Sequence, residues 1–163
     1  MSHEGDHETV GELSDNEAMA LREALDDEYR AWATYDQVIA DFGEVPPFSH
    51  IRQAEARHIA ALLTLFERYG LPVPPNPWPG KTPHYPSVDA ACVAAVQAET
   101  DNAALYDRLL ASTRRPDILA VLQALRSASQ DRHLPAFQRC AQRPSGGGSG
   151  RGAGPQMHGR GWS

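Results

Sequence analysis

The feature that most limits the fold of this chain is a set of four segments in which apolar residues recur at alternating steps of three and four, less regularly in the fourth segment than in the others. This spacing is typical of a helix that buries one face against its neighbours. The four predicted helices cover residues 15–41, 47–69, 88–112 and 116–142. Because no segment shows the alternation expected of a half-buried strand, the sequence predicts an all-α fold.

Local signals define the ends of these helices. Ser14 and Glu17 form a capping-box pattern at the start of the first helix, and Gly43 is expected to stop it. The acidic segment 1–13 and the glycine-rich segment 143–163 are predicted to be disordered tails. The folded domain is therefore predicted to span residues 14–142.

The lengths of the connections predict how the helices are arranged. Short links join the first helix to the second and the third to the fourth, so each pair is expected to form an antiparallel hairpin. The middle link contains the proline-rich run "LPVPPNPWPGKTPHYP". In polyproline-like extension such a run reaches roughly 50 Å, whereas a helix of about 23 residues is only about 35 Å long. The sequence therefore predicts a four-helix bundle of two hairpins joined by one long crossover.

The chain also contains an internal repeat. "EYRAWATYD" in the first helix matches "ETDNAALYD" in the third, so that a Glu is followed seven residues later by Tyr-Asp in both. "EARHIAAL" in the second helix matches "QDRHLPAF" in the fourth, which aligns His58 with His133 and Glu55 with Gln130. The pattern indicates one hairpin used twice.

Ionisable residues lie in the middle of these apolar faces, at Glu28, Glu55, His58, Glu99 and His133. An unpaired buried carboxylate is costly, and several carboxylates in one core also repel one another. A divalent cation removes both problems, and carboxylate oxygen with imidazole nitrogen suits iron, manganese or zinc. Glutamates from two helices, with Glu-x-x-His spacing on the other two, are typical of a two-metal centre in a helix bundle.

With these residues in place, the chain resembles the ferritin-like superfamily, near the rubrerythrins and a small uncharacterised bacterial branch of ferritin-like domains. The resemblance covers about residues 15–142 and rests on four segments, "DDEYRAWATYDQVI", "AEARHIAALLTLFERYG", "AETDNAALYDRLL" and "SASQDRHLPAF". It implies a ferritin-like four-helix bundle with two metal ions, iron in the first place, with manganese or zinc as alternatives.

The resemblance also implies roles for individual residues. Glu28 and Glu99 would be terminal carboxylate ligands, Glu55 a bridging carboxylate, and His58 and His133 the imidazole ligands. The chain departs from the family pattern at Gln130, where a second bridging glutamate is expected. A glutamine is a neutral and weak ligand, so either a bridging hydroxide supplies the missing charge or one of the two metal sites is weak or empty.

Two further pairs leave alternatives open. Tyr35 and Tyr106 lie two turns from Glu28 and Glu99 on the same faces, and they are either core aromatic residues or donors of hydrogen bonds to ligand carboxylates. Cys92 and Cys140 are each seven residues from a predicted ligand. The two thiols are either buried and unrelated or a redox-active pair, and Cα atoms more than about 7 Å apart would exclude a bridge.

The expected activity is that of a di-iron oxidoreductase that reduces peroxide or dioxygen or oxidises ferrous iron. The chain has no Cys-x-x-Cys pair for a rubredoxin-type iron, so a reductase would need an external electron donor. One rival is a non-catalytic metal-binding or iron-storage protein, and another is a structural bundle with a metal-free polar core. Whether this is an enzyme is therefore left open.

Composition narrows the classes of partner. The formal net charge of −6 does not suggest a nucleic-acid-binding surface. No apolar run approaches the roughly 20 residues that a membrane span needs, and the polar, acidic N-terminus lacks the features of a secretion signal. We therefore expect a cytoplasmic protein without nucleic-acid or membrane partners, and a homodimer is left open.

Overall fold

The computed structural model describes residues 12–143 and consists of helices, with no strand in that part of the chain. A five-residue π-helix joins the last two α-helices into one continuous helical segment. The helices are α1 (Asp15–Phe42), α2 (Phe48–Arg68), α3 (Val88–Leu110), α4 (Pro116–Ala128) and α5 (Leu134–Gln142), with the π-helix at Ser129–His133. The prediction of an all-α bundle of four helical segments is confirmed. The predicted tails fall almost entirely outside the described residues.

The helix ends follow the local chemistry of the sequence. The Ser14 hydroxyl accepts a hydrogen bond from the Glu17 amide at 3.0 Å, and the Glu17 carboxylate accepts one from the Ser14 amide at 2.9 Å. These two bonds form the predicted capping box. Gly43 ends α1 with a φ of 94°, a backbone conformation that favours glycine. The third helix ends at Leu110, two residues before the predicted end.

Contacts within each hairpin show that its two arms are antiparallel. In the first hairpin, Arg52 near the start of α2 pairs with Asp36 near the end of α1 at 2.6 Å. In the second hairpin, Arg126 near the end of α4 pairs with Asp107 near the end of α3 at 2.5 Å, and α5 contacts the start of α3. The same Arg-Asp contact in both hairpins is consistent with the internal repeat.

The link between α2 and α3 lies along α1. The Trp78 indole donates a hydrogen bond to Asp26 at 3.0 Å, and the His84 ring lies 2.8 Å from the Asp41 carboxylate. Between these two contacts α1 advances 15 residues, which is about 22 Å. The proline-rich segment therefore follows α1 over about half of that helix's length.

The apolar core consists of two clusters of buried residues. The first lies around the N-terminal half of α1, the C-terminal half of α2 and α4, and the second lies around the C-terminal half of α1 and α5. The predicted ionisable residues belong to neither cluster. Because they occupy the central turns of the helices, they form a polar layer between the two apolar parts of the core.

The fourth helical segment is irregular just before Pro135, a residue type that kinks or breaks a helix interior. The irregularity is the π-helix just before the proline, in which the Leu134 amide donates to the Ser129 carbonyl five residues earlier. Pro135 then lies in the first turn of α5, where a missing amide hydrogen costs little. Among the described residues, no helix combines the length and apolar character required to cross a membrane.

Candidate metal centre

The polar layer brings together the five strongest candidate ligands from all four helical segments. Glu28 comes from α1, Glu55 and His58 from α2, Glu99 from α3, and His133 from the last residue of the π-helix. The three glutamates and His133 are each no more than 3% exposed. His58 is half-buried. Sequence reasoning therefore placed these residues on the correct side of each helix.

The first group of potential ligands comprises Glu28, Glu55 and His58. The His58 Nδ1 atom lies 3.2 Å from Glu55 Oε1 and 3.4 Å from Glu28 Oε1. One ligand atom from each residue lies within 4.8 Å of the others, which is close enough to surround one metal ion. Two carboxylates and an imidazole are a ligand set that suits iron, manganese or zinc.

The second group repeats the first on the opposite side of Glu55. His133 Nδ1 lies 3.4 Å from Glu55 Oε2 and 3.7 Å from Glu99 Oε2. These three residues also bring ligand atoms within 4.8 Å of one another. Glu55 therefore contributes one oxygen to each group. The imidazoles of His58 and His133 stack with their centroids 5.6 Å apart, which places the two groups side by side.

The two tyrosines donate hydrogen bonds across the bundle to the terminal carboxylates. Tyr35 in α1 donates to Glu99 Oε2 at 2.6 Å, and Tyr106 in α3 donates to Glu28 Oε2 at 2.6 Å. Burial, together with the carboxylate next to each phenol, raises the pKa of both tyrosines well above its usual value. The phenols therefore stay protonated and can act as donors. This contact corresponds to one of the two alternatives that the sequence left open.

The charges in the layer depend strongly on one another. Burial and the neighbouring charge of Glu55 raise the pKa of Glu28 to about 8. Burial also opposes ionisation of Glu55, but its close polar contacts with Glu28, His133 and His58 outweigh burial and lower the pKa of Glu55. Without a metal, Glu28 therefore holds a proton more readily than Glu55 does.

The two imidazoles respond to the carboxylates in the opposite sense. Burial alone would lower the pKa of each ring, but the adjacent carboxylates raise the pKa of His58 and of His133 to about 9. In the metal-free layer the imidazoles are therefore protonated near neutral pH and form ion pairs with the glutamates.

Two buried atoms in these groups lack a hydrogen-bond partner. Glu28 Oε1 and His133 Nδ1 are both enclosed, and neither has a partner with suitable geometry. Buried polar atoms are nearly always satisfied, so such exceptions call for a ligand or another explanation. One unpaired atom belongs to each group, and both are among its potential ligand atoms. The residues present therefore fit a pair of metal ions.

Gln130, the predicted weak ligand, is half-buried, and its neighbour Ser129 makes the close contact to the layer. The Ser129 hydroxyl donates to Glu99 Oε1 at 2.6 Å and is 3% exposed. The π-helix explains this shift, since its wider turn moves the inward position by about one residue. Alignment of Gln130 with Glu55 assumed a regular α-helix, which does not occur here.

The sequence carried a signal for Ser129 that the repeat analysis missed. The paired arginines, Arg52 and Arg126, make equivalent contacts, yet Arg52 is six residues before His58 whereas Arg126 is seven residues before His133. The second copy of the repeat therefore contains one extra residue, which the π-helix accommodates. Counting from the arginines, Ser129 occupies the position of Glu55. The weak ligand role of Gln130 stays a prediction.

Cys92 and Cys140 form a disulfide, with their Cα atoms 5.8 Å apart. This corrects the interpretation of two unrelated thiols and agrees with the alternative of a pair. Both residues are fully buried in the second apolar cluster, and the bond joins the start of α3 to the last turn of α5. The cysteines are level with each other because α3 and α5 are antiparallel and each cysteine is seven residues from a residue of the polar layer, Glu99 or His133.

A groove between α2 and the π-helix leads from the surface to His133. It has a volume of about 390 Å³, and His133 forms part of its wall. A smaller pocket of about 170 Å³ between α1, α3 and the proline-rich link reaches Tyr35. Small molecules therefore have space to reach both the His133 side of the layer and the tyrosine that bonds to Glu99.

Comparison with known proteins supports the fold only. No family model and no curated protein matches this chain. The chain is similar in structure to a hypothetical protein from Methanococcus jannaschii DSM 2661, with a TM-score of 0.71 and 22% sequence identity. The match covers 80% of this chain and 82% of the other. At this level of identity the likeness concerns the all-helical architecture.

Proposed function

We propose that this chain is a ferritin-like protein with a two-metal carboxylate–histidine centre, and that it acts as an oxidoreductase on peroxide or dioxygen, or oxidises ferrous iron. The observation that carries the proposal is the pair of buried ligand groups that share Glu55. Each group also contains one enclosed atom that lacks a hydrogen-bond partner, although it lies 3.4 Å from a group of opposite charge. The pairing is easier to explain by two cations than by packing alone.

The directions of the helices support the ferritin-like arrangement. Glu23 pairs with Arg108, whereas Tyr35, later in α1, bonds to the earlier residue Glu99. Since α1 is therefore antiparallel to α3 and also to α2, helices α2 and α3 run in the same direction. A connection between parallel helices must return along the bundle, as the segment beside α1 does. Two hairpins with one long crossover have the connectivity of ferritin-like bundles.

In this proposal each residue has a defined task. Glu28 with His58 would hold one metal ion, Glu99 with His133 would hold the other, and Glu55 would bridge them. Iron ions bound there would supply the electron transfer needed for reduction of an oxygen species. Tyr35 and Tyr106 orient the terminal carboxylates by donating a hydrogen bond to each. In Glu28 the other oxygen is directed at His58, whereas in Glu99 the oxygen that accepts from Tyr35 also lies 3.7 Å from His133 Nδ1.

Thermal unfolding of chelator-treated protein tests the metal proposal. Three metal ions are added separately: ferrous iron under anaerobic conditions, manganese, and zinc. A bound metal is expected to raise the melting temperature, and elemental analysis should then find about two metal ions per chain. The same melting temperature with and without every metal would overturn the proposal. Ferrous protein that binds metal but consumes no peroxide or dioxygen would favour the storage alternative.

A metal-free structural core is the second candidate, and one observation favours it. With the pKa of His58 and His133 raised to about 9, the imidazolium rings compensate the charge of the carboxylates without any metal. The candidate predicts that metal ions neither bind tightly nor change the melting temperature. The unfolding experiment therefore separates the two candidates directly.

A further inference from the structure

The disulfide lies close to the candidate metal centre along both of the helices that it joins. Cys92 precedes Glu99 by seven residues in α3, and Cys140 follows His133 by seven residues. Seven residues correspond to two helical turns, which is about 10 Å along each helix. Both sulfur atoms are thus two turns from the same half of the centre, the half formed by Glu99 and His133.

Aromatic side chains fill the space on this side of the centre. Tyr35, Phe48 and Phe137 belong to the same buried cluster as the two cysteines, and their ring centroids are 5.0–5.6 Å apart. Tyr35 also donates its hydroxyl hydrogen to the Glu99 carboxylate. A continuous set of packed groups therefore leads from the disulfide to a candidate ligand.

The two halves of the centre differ in whether their tyrosine packs in the same cluster as the cysteines. Tyr106 makes the equivalent hydrogen bond to Glu28, but it lies in the other apolar cluster, which contains no cysteine. The internal repeat thus provides a matched pair of tyrosines. Of these two tyrosines, Tyr35 is the one that packs within the cluster that holds the sulfur atoms.

We propose that Cys92 and Cys140 are a redox-active pair that supplies two electrons to peroxide reduced at the metal centre. This inference rests on the proposed function of that centre. In the forward step the two thiols form the S–S bond, the O–O bond of hydrogen peroxide breaks, and the two thiol protons leave in two molecules of water. An external dithiol would restore the pair by exchange, forming its own disulfide and returning two protons.

Access for such a dithiol is best at Cys140. Cys140 lies in the last turn of α5, whereas Cys92 is in the second turn of α3. Helix ends open more readily than helix interiors. The guanidinium of Arg143 lies 3.6 Å from the Cys140 sulfur, so a thiolate formed there during exchange would be next to a positive charge.

The test measures thiols rather than turnover. Wild-type protein is reduced, loaded with ferrous iron without oxygen, and mixed with two equivalents of hydrogen peroxide per chain, one more than two ferrous ions can reduce. The reaction is stopped in denaturant with an alkylating agent, and the mass of the chain counts the remaining thiols. We expect both thiols to be lost, at least about tenfold faster than in metal-free protein, because buried protonated thiols react slowly with peroxide.

Conservative variants test whether the electrons pass from the disulfide pair to the centre on the Tyr35 side, through the packed groups that lead to Glu99. Tyr35→Phe keeps the ring but removes the hydroxyl that reaches Glu99, and it is expected to slow thiol oxidation severalfold. Tyr106→Phe removes the matched hydroxyl on the other side and should slow it much less. Equal slowing in the two variants would overturn the assigned route.

Three results would overturn the redox role or its basis. Retention of both thiols while iron-loaded protein consumes peroxide would overturn this inference and leave the proposed function intact. Equally fast thiol loss in metal-free protein would also overturn it, since the centre would not be involved. Failure to bind iron, measured in the same samples, would overturn the proposed function and this inference together.

Discussion

Replacing Glu55 with glutamine is the sharpest test of the shared carboxylate. Glu55 is the one residue that belongs to both ligand groups, with one oxygen 3.2 Å from His58 Nδ1 and the other 3.4 Å from His133 Nδ1. Glu55→Gln preserves the shape of the side chain but removes its charge. The variant should therefore weaken both metal sites at once.

The size of the effect follows from the binding energy of a metal ion. A ligand present at about 100 times its dissociation constant stabilises the folded state by about 2.7 kcal/mol. For a chain of this size, each kcal/mol corresponds to about 2–4 °C in melting temperature. One occupied site should thus raise the melting temperature of wild-type protein by about 5–10 °C, and two occupied sites by about twice as much. In Glu55→Gln we expect this metal-dependent rise to fall below about 2 °C.

The metal-free Glu55→Gln variant provides a second measurable quantity, the free energy of unfolding that is lost when the charge of Glu55 is removed. At an effective dielectric constant of about 20, each Glu55–imidazolium pair has a gross Coulomb energy of about 5 kcal/mol at these distances. Desolvation offsets much of this, and removing one partner of a buried ion pair typically costs about 3–5 kcal/mol. Relief of repulsion between Glu55 and the other glutamates reduces the loss, so this range is an upper bound.

Thermal unfolding by circular dichroism, with metal content measured on the same samples, provides the assay. Glu67→Gln is the matched control because Glu67 is an exposed glutamate on the same helix. The control should keep the full metal-dependent rise. If Glu55→Gln also keeps this rise, with two metal ions still bound, the shared carboxylate does not hold the metals.

Three further outcomes follow from the same structure. Metal-free protein should lose stability as the pH rises from about 6.5 through about 9. The pKa of His58 and of His133 is raised, so in this range the folded state holds protons that the unfolded chain has released. Denaturant unfolding at several pH values measures this, and a stability that stays flat or rises with pH would contradict it. Metal binding must displace these protons, so calorimetry in buffers of different ionisation enthalpy should show proton release, and none would contradict the ligand assignment. Ser129→Ala should lower the free energy of unfolding by about 1–3 kcal/mol, because the hydrogen bond to Glu99 is lost. Ser129→Thr keeps the hydroxyl and should lose less stability. Equal losses in the two variants would argue against a contribution from that hydrogen bond.

Much of the fold was predictable because the signals are local. Helix caps such as Ser14 and stops such as Gly43 depend on a few neighbouring residues, and the apolar stripes depend only on the helical period. The same period placed Glu28, Glu55 and Glu99 on buried faces, because these residues keep the spacing of the leucines around them. Local rules were sufficient wherever the helix was regular.

Prediction was least accurate where the helix was not regular. The match between "EARH" and "QDRH" pointed to Gln130, but one extra residue in the second copy is accommodated by a π-helix. The turn therefore widens, and Ser129 rather than Gln130 bonds to Glu99. Periodicity analysis assumes one constant turn, so it cannot locate such a change.

The sequence alone was sufficient to predict that the chain is helical, that it contains two related hairpins, and that ionisable residues lie on the buried faces. These properties follow from spacing along a single helix and from the lengths of the links. Only the tertiary structure decided which atoms meet: the two oxygens of Glu55 with two imidazoles, each tyrosine with the carboxylate on the other hairpin, and Cys92 with Cys140. Such pairings depend on the relative register of different helices, which helix packing establishes and no local pattern encodes.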